Sequence, residues 1–303
     1  MKTFKNAIQG DSLALTAELT IKREFTADEV LVQARALSEY VDALQVTDNP
    51  YAWAQISAVA AASILLHNDI DAVPIMTCRD RNKIALKSDL LGLRALGVSS
   101  VLLTRGHRVP GDHEIKAATV FDTTGRELLA MAEDIRRDTD IGPKRHFFIG
   151  TGARVFSPKN NWEAESLKSR SAAGAQFMQT QLCFNMDTLR AYMHMLVEKK
   201  LTWDYSVVVT LTALPSAKTA RWVKSNMTDS LIPKSIIERL DQAADPELEG
   251  INICAELMQE ISEIPGVSGI NLMTMGDPET ITAAIEASGL ARKKSQEDTG
   301  TSN

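Results

Sequence analysis

Apolar positions along this chain alternate between a period of two and a period near 3.6, the signature of strands exchanging with helices. In residues 13–20, Leu13, Leu15, Ala17 and Leu19 fall on one side, and Thr16, Glu18 and Thr20 on the other. Residues 28–40 then carry Val30, Leu31, Ala34, Leu37 and Tyr40 at helical spacing. A short apolar strand over 43–47 runs into Thr47-Asp48-Asn49-Pro50, which has turn chemistry. The pattern predicts further strands at 72–77, 100–104, 146–149, 176–181, 205–211 and 267–272. Between them it predicts helices at 53–66, 83–96 (stopped by Gly97), 127–137, 163–173 and 187–198. One long helical stretch over 217–257 and a last helix over 278–287 complete the series.

Strands that alternate with helices in this way make a parallel sheet, because parallel neighbours need a crossover. Eight such strands predict an α/β fold of the parallel (β/α)8 TIM-barrel type, with residues 1–290 forming one catalytic barrel. The polar tail 291–303, rich in Lys, Ser, Thr and Gly, is expected to be disordered. An open doubly wound sheet is the competing architecture. It would place Gly-x-Gly-x-x-Gly after its first strand; here Gly150-Thr151-Gly152 follows the fifth strand and lacks the third glycine. The barrel is therefore favoured.

Charge narrows the choice of partner. The 303 residues carry 33 basic and 39 acidic side chains, a net charge of −6, which is the wrong balance for a nucleic-acid surface. Cys78, Cys183 and Cys254 are far apart and odd in number, so neither a disulfide framework nor a zinc cage is expected, and a reducing cytoplasm fits best. The five histidines show no zinc spacing, and no Gly-x-Ser-x-Gly elbow is present. No secretory leader or membrane span is expected, since the weakly polar stretch 52–66 is too short. Residues 217–257 have two open placements, against another subunit in a homo-oligomer or across the barrel floor.

In a barrel, chemistry gathers at the C-terminal strand ends. Glu18 would point into the mouth there, either as a desolvated general acid or as a structural acid paired with an interior Arg or Lys. In Thr77-Cys78-Arg79-Asp80-Arg81-Asn82, Asp80 or Asn82 could cap the next helix, and the two arginines could pair with acids or bind an anion. Arg105-Gly106-His107 places a glycine where a ligand would approach the backbone, with His107 as a pocket group or a surface histidine. Gly150 to Ala153 offers amides to a phosphate, and Gln181 either meets a heterocycle or satisfies loop backbone.

These edge residues, read together, resemble the methylenetetrahydrofolate reductases in a short form without a C-terminal regulatory domain. The markers are Ala17-Glu18-Leu19-Thr20, Val46-Thr47-Asp48-Asn49, the run from Thr77 to Asn82 continued by Ser88-Asp89-Leu90-Leu91-Gly92, Ala173-Gly174-Ala175-Gln176-Phe177 with Thr180-Gln181, and the run from Ser216 to Trp222. The resemblance implies a barrel that binds FAD and reduces 5,10-methylenetetrahydrofolate to 5-methyltetrahydrofolate with NADH or NADPH, in one-carbon metabolism and methionine biosynthesis. It implies that Glu18 is the catalytic acid that helps open the folate ring to an iminium ion, after which the flavin delivers hydride. Gln181, His107 and Asp48 are the implied folate-binding residues. Thr47, Arg105, Gly106, His107, Gly150, Ala153 and Arg170 are the implied flavin-binding set, with Arg170 in place of a lysine.

Two positions depart from the family pattern. His107 stands where an aspartate is usual, and Ile75 where well-known members carry a histidine. These changes leave three other readings open: oxidative operation in a demethylation pathway, a flavin-free transfer from NADH directly to folate, and a non-catalytic folate- or flavin-binding subunit.

Overall fold

Strand β1 (Ala14–Leu19) sets the pattern of the wall. Leu15, Ala17 and Leu19 join the large core between strands and helices, while Ala14, Thr16 and Glu18 face the barrel axis. Seven further strands follow: β2 (Ala43–Val46), β3 (Ala72–Thr77), β4 (Ser100–Thr104), β5 (Phe148–Ala153), β6 (Phe177–Leu182), β7 (Ser206–Leu211) and β8 (Val267–Leu272). They form a closed parallel barrel in chain order. Closure is visible at Thr16, which is in register with Ala43 of β2 on one side and Asn271 of β8 on the other. The computed structural model describes residues 3–109, 114–138, 147–227, 229–275 and 277–290. The expected tail 291–303, together with His113 and His146, lies outside the described residues.

The helices begin where capping residues stop the strand-to-helix loops. Thr26 makes a capping box with Glu29 at the start of α2 (Ala27–Ser38), and Thr124 does the same with Glu127 for α5 (Gly125–Arg137). Asn82 accepts from the Ala85 amide to open α4 (Lys83–Leu96), which ends at Gly97 with φ 87°. The other outer helices directly after strands are α3 (Ala58–Leu66), α6 (Glu165–Ala172), α7 (Met186–Glu198) and α8 (Ala217–Asn226), and α11 (Pro278–Ser288) follows β8.

Three expectations are corrected. The helix expected over 53–66 starts only at Ala58, because Ser57 caps it and a 3₁₀ turn at Pro50–Ala52 takes up the loop. The long helix over 217–257 is three helices: α8, α9 (Lys234–Gln242) and α10 (Pro246–Ser262). Pro233 and the Asp245-Pro246 step break it, since proline has no amide for the preceding turn. This segment packs along the barrel's side, α10 lying on α11, β7, β8 and α7, and does not form the floor.

The floor is closed by a short helix, α1 (Phe4–Ile8), that periodicity did not predict. Its Phe4 ring meets Phe177 edge-on at 5.2 Å, and Phe148 and Phe177 stack at 5.1 Å. Around them lie Ala14, Ala43, Val73, Leu102 and Val208, an apolar plug at the N-terminal end of the strands. The Phe4 amide donates to Asp71 Oδ2 at 2.7 Å, which fixes the plug to the barrel rim. With the floor filled by these side chains, the barrel opens to a ligand at its C-terminal end.

Candidate active site

Above the apolar plug the inward-facing positions turn polar. Thr16, Gln45, Gln179 and Asn271 are all buried there and satisfy one another. Gln45 and Gln179 exchange amide hydrogen bonds across the barrel, Nε2 to Oε1 at 2.6 Å and 3.0 Å. Thr16 Oγ1 donates to Asn271 Oδ1 at 2.9 Å. Asn271 Nδ2 in turn donates to Glu18 Oε1 at 3.2 Å.

Glu18 is the uppermost inward residue of β1, and no basic side chain is paired with it among the described residues. Burial pushes its carboxyl up to about 7, opposed only by the Asn271 hydrogen bond that favours the ionised form. A carboxyl poised near neutral pH can give and retake a proton, which an ion-paired structural acid cannot. Its main-chain carbonyl is also tied down by the Thr274 hydroxyl. The alternative of an interior acid neutralised by Arg or Lys is thereby set aside.

Aromatic groups overlook this mouth. Tyr51, in the loop after β2 with φ 54°, packs edge-on against Trp222 of α8 at 6.2 Å between ring centres. The contact joins elements that follow β2 and β7, and so bridges the rim above β8 and β1 where Glu18 sits. Burial and the nearby Glu18 carboxylate both raise the Tyr51 hydroxyl above its ordinary value. Both rings are about half exposed, which leaves their faces free for a flat ligand.

A second group of residues stiffens the rim over β2 and β3. Asp48 Oδ2 accepts from the Thr77 amide at 2.8 Å and the Thr77 hydroxyl at 2.9 Å, and is paired with Arg81. Arg81 also reaches Asp89 at 2.8 Å, and Arg79 holds Asp80 and the Asn49 carbonyl. The two arginines are thus engaged by acids, and Asn82, not Asp80, caps the helix. Thr47 Oγ1 and its carbonyl both accept from Gln55 Nε2.

Beside the mouth lies a cavity of about 410 Å³ between β4, β5, α5 and α6. Arg105, Arg126 and Arg170 line it with the hydroxyl residues Thr104, Thr124, Thr151, Ser166 and Ser169, at the start of α5. Arg105 lies over the Phe121 ring at 4.4 Å, and Arg170 donates to the Gly152 carbonyl at 2.5 Å. Three cations, hydroxyls and a helix N-terminus make an electropositive pocket suited to a phosphate-bearing ligand. Gly106, with φ 76°, would bring a Cβ to 3.0 Å from Thr77 Cβ, so this turn at the cavity's edge needs glycine.

Other expected site residues are placed differently. The run Gly150 to Ala153 is not a loop: all four residues belong to β5 and pair in register with 177–180 of β6, so their backbone serves the sheet. Gln181 is engaged with loop backbone, accepting from the Val155 amide at 2.9 Å and donating to its carbonyl at 3.1 Å. His107 is exposed beyond Gly106, and Ile75 packs on the apolar plug. All three cysteines are buried as free thiols, and no group of three or more His, Cys, Asp or Glu among the described residues could hold a metal.

Asn271, Gln45, Gln179, Tyr51, Arg126, Ser166 and Ser169 were not anticipated. The available signal was polar residues at inward positions of buried strands, as in Ala43-Leu44-Gln45-Val46 and Gly269-Ile270-Asn271-Leu272. No such signal marks the cavity residues, which meet only when α5 and α6 pack side by side.

A closed parallel barrel with a plugged floor, an acid at its open end and a cationic cavity beside it defines a barrel of the small-molecule-binding class. The family model of methylenetetrahydrofolate reductase matches residues 3–289, and this chain belongs to that family. A probable methylenetetrahydrofolate reductase (NADPH) of Caenorhabditis elegans is 24% identical over 242 residues, which cover 77% of this chain. The match spans 34% of that relative's length, about a third. Among solved structures, an uncharacterized protein from Clostridium thermocellum that binds two copies of 5-methyl-5,6,7,8-tetrahydrofolic acid aligns with a TM-score of 0.63 at 14% identity, covering 94% of this chain and 97% of that one. At that identity the likeness is one of fold. No helix among the described residues is long and apolar enough to cross a membrane.

Proposed function

We propose that this chain reduces 5,10-methylenetetrahydrofolate to 5-methyltetrahydrofolate, taking electrons from NADH or NADPH through bound FAD. The observation that carries the reading is Glu18, a desolvated carboxyl near pKa 7 at the open end of a family barrel. The neighbour that binds 5-methyl-5,6,7,8-tetrahydrofolic acid, the proposed product, and the relative named a probable NADPH reductase support a folate and a nicotinamide as the ligands.

The residues present fit a flavin dinucleotide. The cavity's three arginines and five hydroxyl residues match a diphosphate's charge and acceptor oxygens. Arg105, Arg126 and Arg170 would hold that end, with Thr47 and Gly106 towards the ring and Ala153 bordering the strand end. A bound flavin would supply two-electron transfer between the nicotinamide and the folate.

The protein's own part is a proton. Glu18, which still carries its proton in a substantial fraction of molecules at neutral pH, gives it to the folate nitrogen that leaves as the five-membered ring opens, and the methylene carbon becomes an iminium able to accept hydride. The sum is methylenetetrahydrofolate, NAD(P)H and one proton giving methyltetrahydrofolate and NAD(P)⁺. Tyr51 and Trp222 would border the flat ring, and Gln181 and His107 are assigned to the folate by the family resemblance alone. Asp48 contributes by holding Thr77 and Arg81, which shape the rim.

The test is the absorption spectrum of purified protein, followed by NADH and then methylenetetrahydrofolate without air. A yellow protein bleached by NADH and recoloured by the folate supports the proposal. Colourless protein that still turns over selects direct transfer from NADH. Folate turnover that needs an added protein would make this chain a binding subunit, and turnover only from methyltetrahydrofolate would reverse the direction.

A further inference from the structure

Glu18 is held by one oxygen. Asn271 Nδ2 donates to Oε1 at 3.2 Å, and Oε2 has no hydrogen-bond partner among the described residues. The amide below could in principle present either end to the acid, so what orients it decides what Glu18 meets.

The row beneath supplies that orientation. The exchange between Gln45 and Gln179 uses both amide oxygens and one hydrogen of each nitrogen. The second hydrogen of Gln45 Nε2 points to Thr16 Oγ1 at 3.4 Å. Having accepted there, Thr16 turns its own hydroxyl hydrogen to Asn271 Oδ1 at 2.9 Å. With its oxygen taken, Asn271 presents its nitrogen to Glu18. A half-turn of the Asn271 amide alone would set its nitrogen against the Thr16 hydroxyl hydrogen, which would then lose its acceptor. All four residues are buried, so water cannot replace a mismatched partner cheaply.

We propose that Asn271 is a positioning residue: by donating to Oε1 it keeps the Glu18 proton on Oε2, the oxygen left for the ligand. Because Asn271 presents only a donor, Oε1 serves as the carbonyl oxygen of the neutral acid, and the O–H bond lies on the other oxygen. In the directions the structure gives, the chain from Gln179 through Gln45 and Thr16 leaves Asn271 its donor end for Glu18. The functional meaning rests on the proposed proton donation by Glu18; the geometry of the proton does not.

The experiment reads Glu18 directly, by infrared difference spectra of titrated protein with Glu18→Gln as the blank. In Asn271→Leu the midpoint of Glu18 should rise by about one unit, the worth of one hydrogen bond to a charged group. Its neutral carbonyl band should also move to higher frequency, since that oxygen no longer accepts a hydrogen bond. Thr16→Val, nearly isosteric, should shift both readouts in the same direction by a smaller amount, and it keeps the test available if Asn271→Leu does not fold. With methylenetetrahydrofolate, both variants should lose kcat about tenfold or less with KM little changed. An unmoved midpoint and band in the folded variants would overturn the proposal. Shifted spectra without folate turnover in the unmodified protein would leave the proton assignment standing and reject the proposed reaction.

Discussion

Gly150 of β5 lies directly against the ring of Phe177 on β6, and a Cβ on Gly150 would overlap that ring. The two residues are in register, and Phe177 is also the ring on which Phe4 and Phe148 pack. Gly150 is therefore a packing residue of the barrel floor, with its backbone in the sheet ladder. Gly150→Ala should lower stability by about 1–3 kcal/mol, the usual result of overfilling a core. Urea unfolding measures it, and flavin and folate binding by the folded variant should be unchanged.

Glu18→Gln keeps the size of the side chain and an acceptor for Asn271, but removes the proton. Loss of a general acid costs about 10²- to 10⁴-fold in rate. Folate turnover should fall within that range while flavin content and reduction by NADH persist. Stopped-flow measurement of the two half-reactions separates them, and nearly full folate turnover would exclude the role given to Glu18.

The same substitution predicts a pH signature in stability. Glu18 is raised from 4.5 to about 7 in the folded protein, so between those values the folded chain keeps a proton that the unfolded chain releases. The Glu18 contribution to stability therefore falls as pH rises through this window, by up to about 3 kcal/mol above it. Asp42 and Asp71, both pushed up to about 6 by burial, act in the same direction. The difference between Glu18→Gln and the unmodified chain isolates Glu18: it should be near zero at pH 4 and favour the variant at pH 8. Urea midpoints at the two pH values decide it.

Arg170 stands at the base of the cationic cavity, bonded to the Gly152 carbonyl. Removing one charge-assisted contact to a phosphate should weaken binding by about 10- to 100-fold. Arg170→Ala is expected to purify with less flavin and to need added FAD for turnover. Equal flavin content at limiting FAD would place the diphosphate elsewhere.

The order of elements was readable because each strand and helix buries one face, and burial imposes a period. The helix over 83–96 was readable to the residue, since Asn82 and Gly97 are cap and stop. The helix α1 was missed because five residues give too little period, and its Phe4 is apolar for a contact made far along the chain. In the site, Glu18 stood out as an acid at an inward strand end. Asp48 and Gln181 looked equally available, yet hydrogen bonds to Thr77 and to the Val155 peptide already engage them. Side-chain type shows what a residue can bond, whereas its partner depends on which strands become neighbours.

By itself the sequence determined the parallel barrel, its open end and the side of β1 that carries Glu18, because alternation and crossover chemistry are local. Only the tertiary structure decided that Thr16, Gln45, Gln179 and Asn271, drawn from four strands, form one row beneath that acid. It also decided that arginines from three elements share a cavity. The physical reason is that hydrogen bonds and desolvation depend on distances of a few ångströms between segments that closure of the barrel brings together. Thr16 and Asn271 are 255 residues apart in the chain and 2.9 Å apart in the fold.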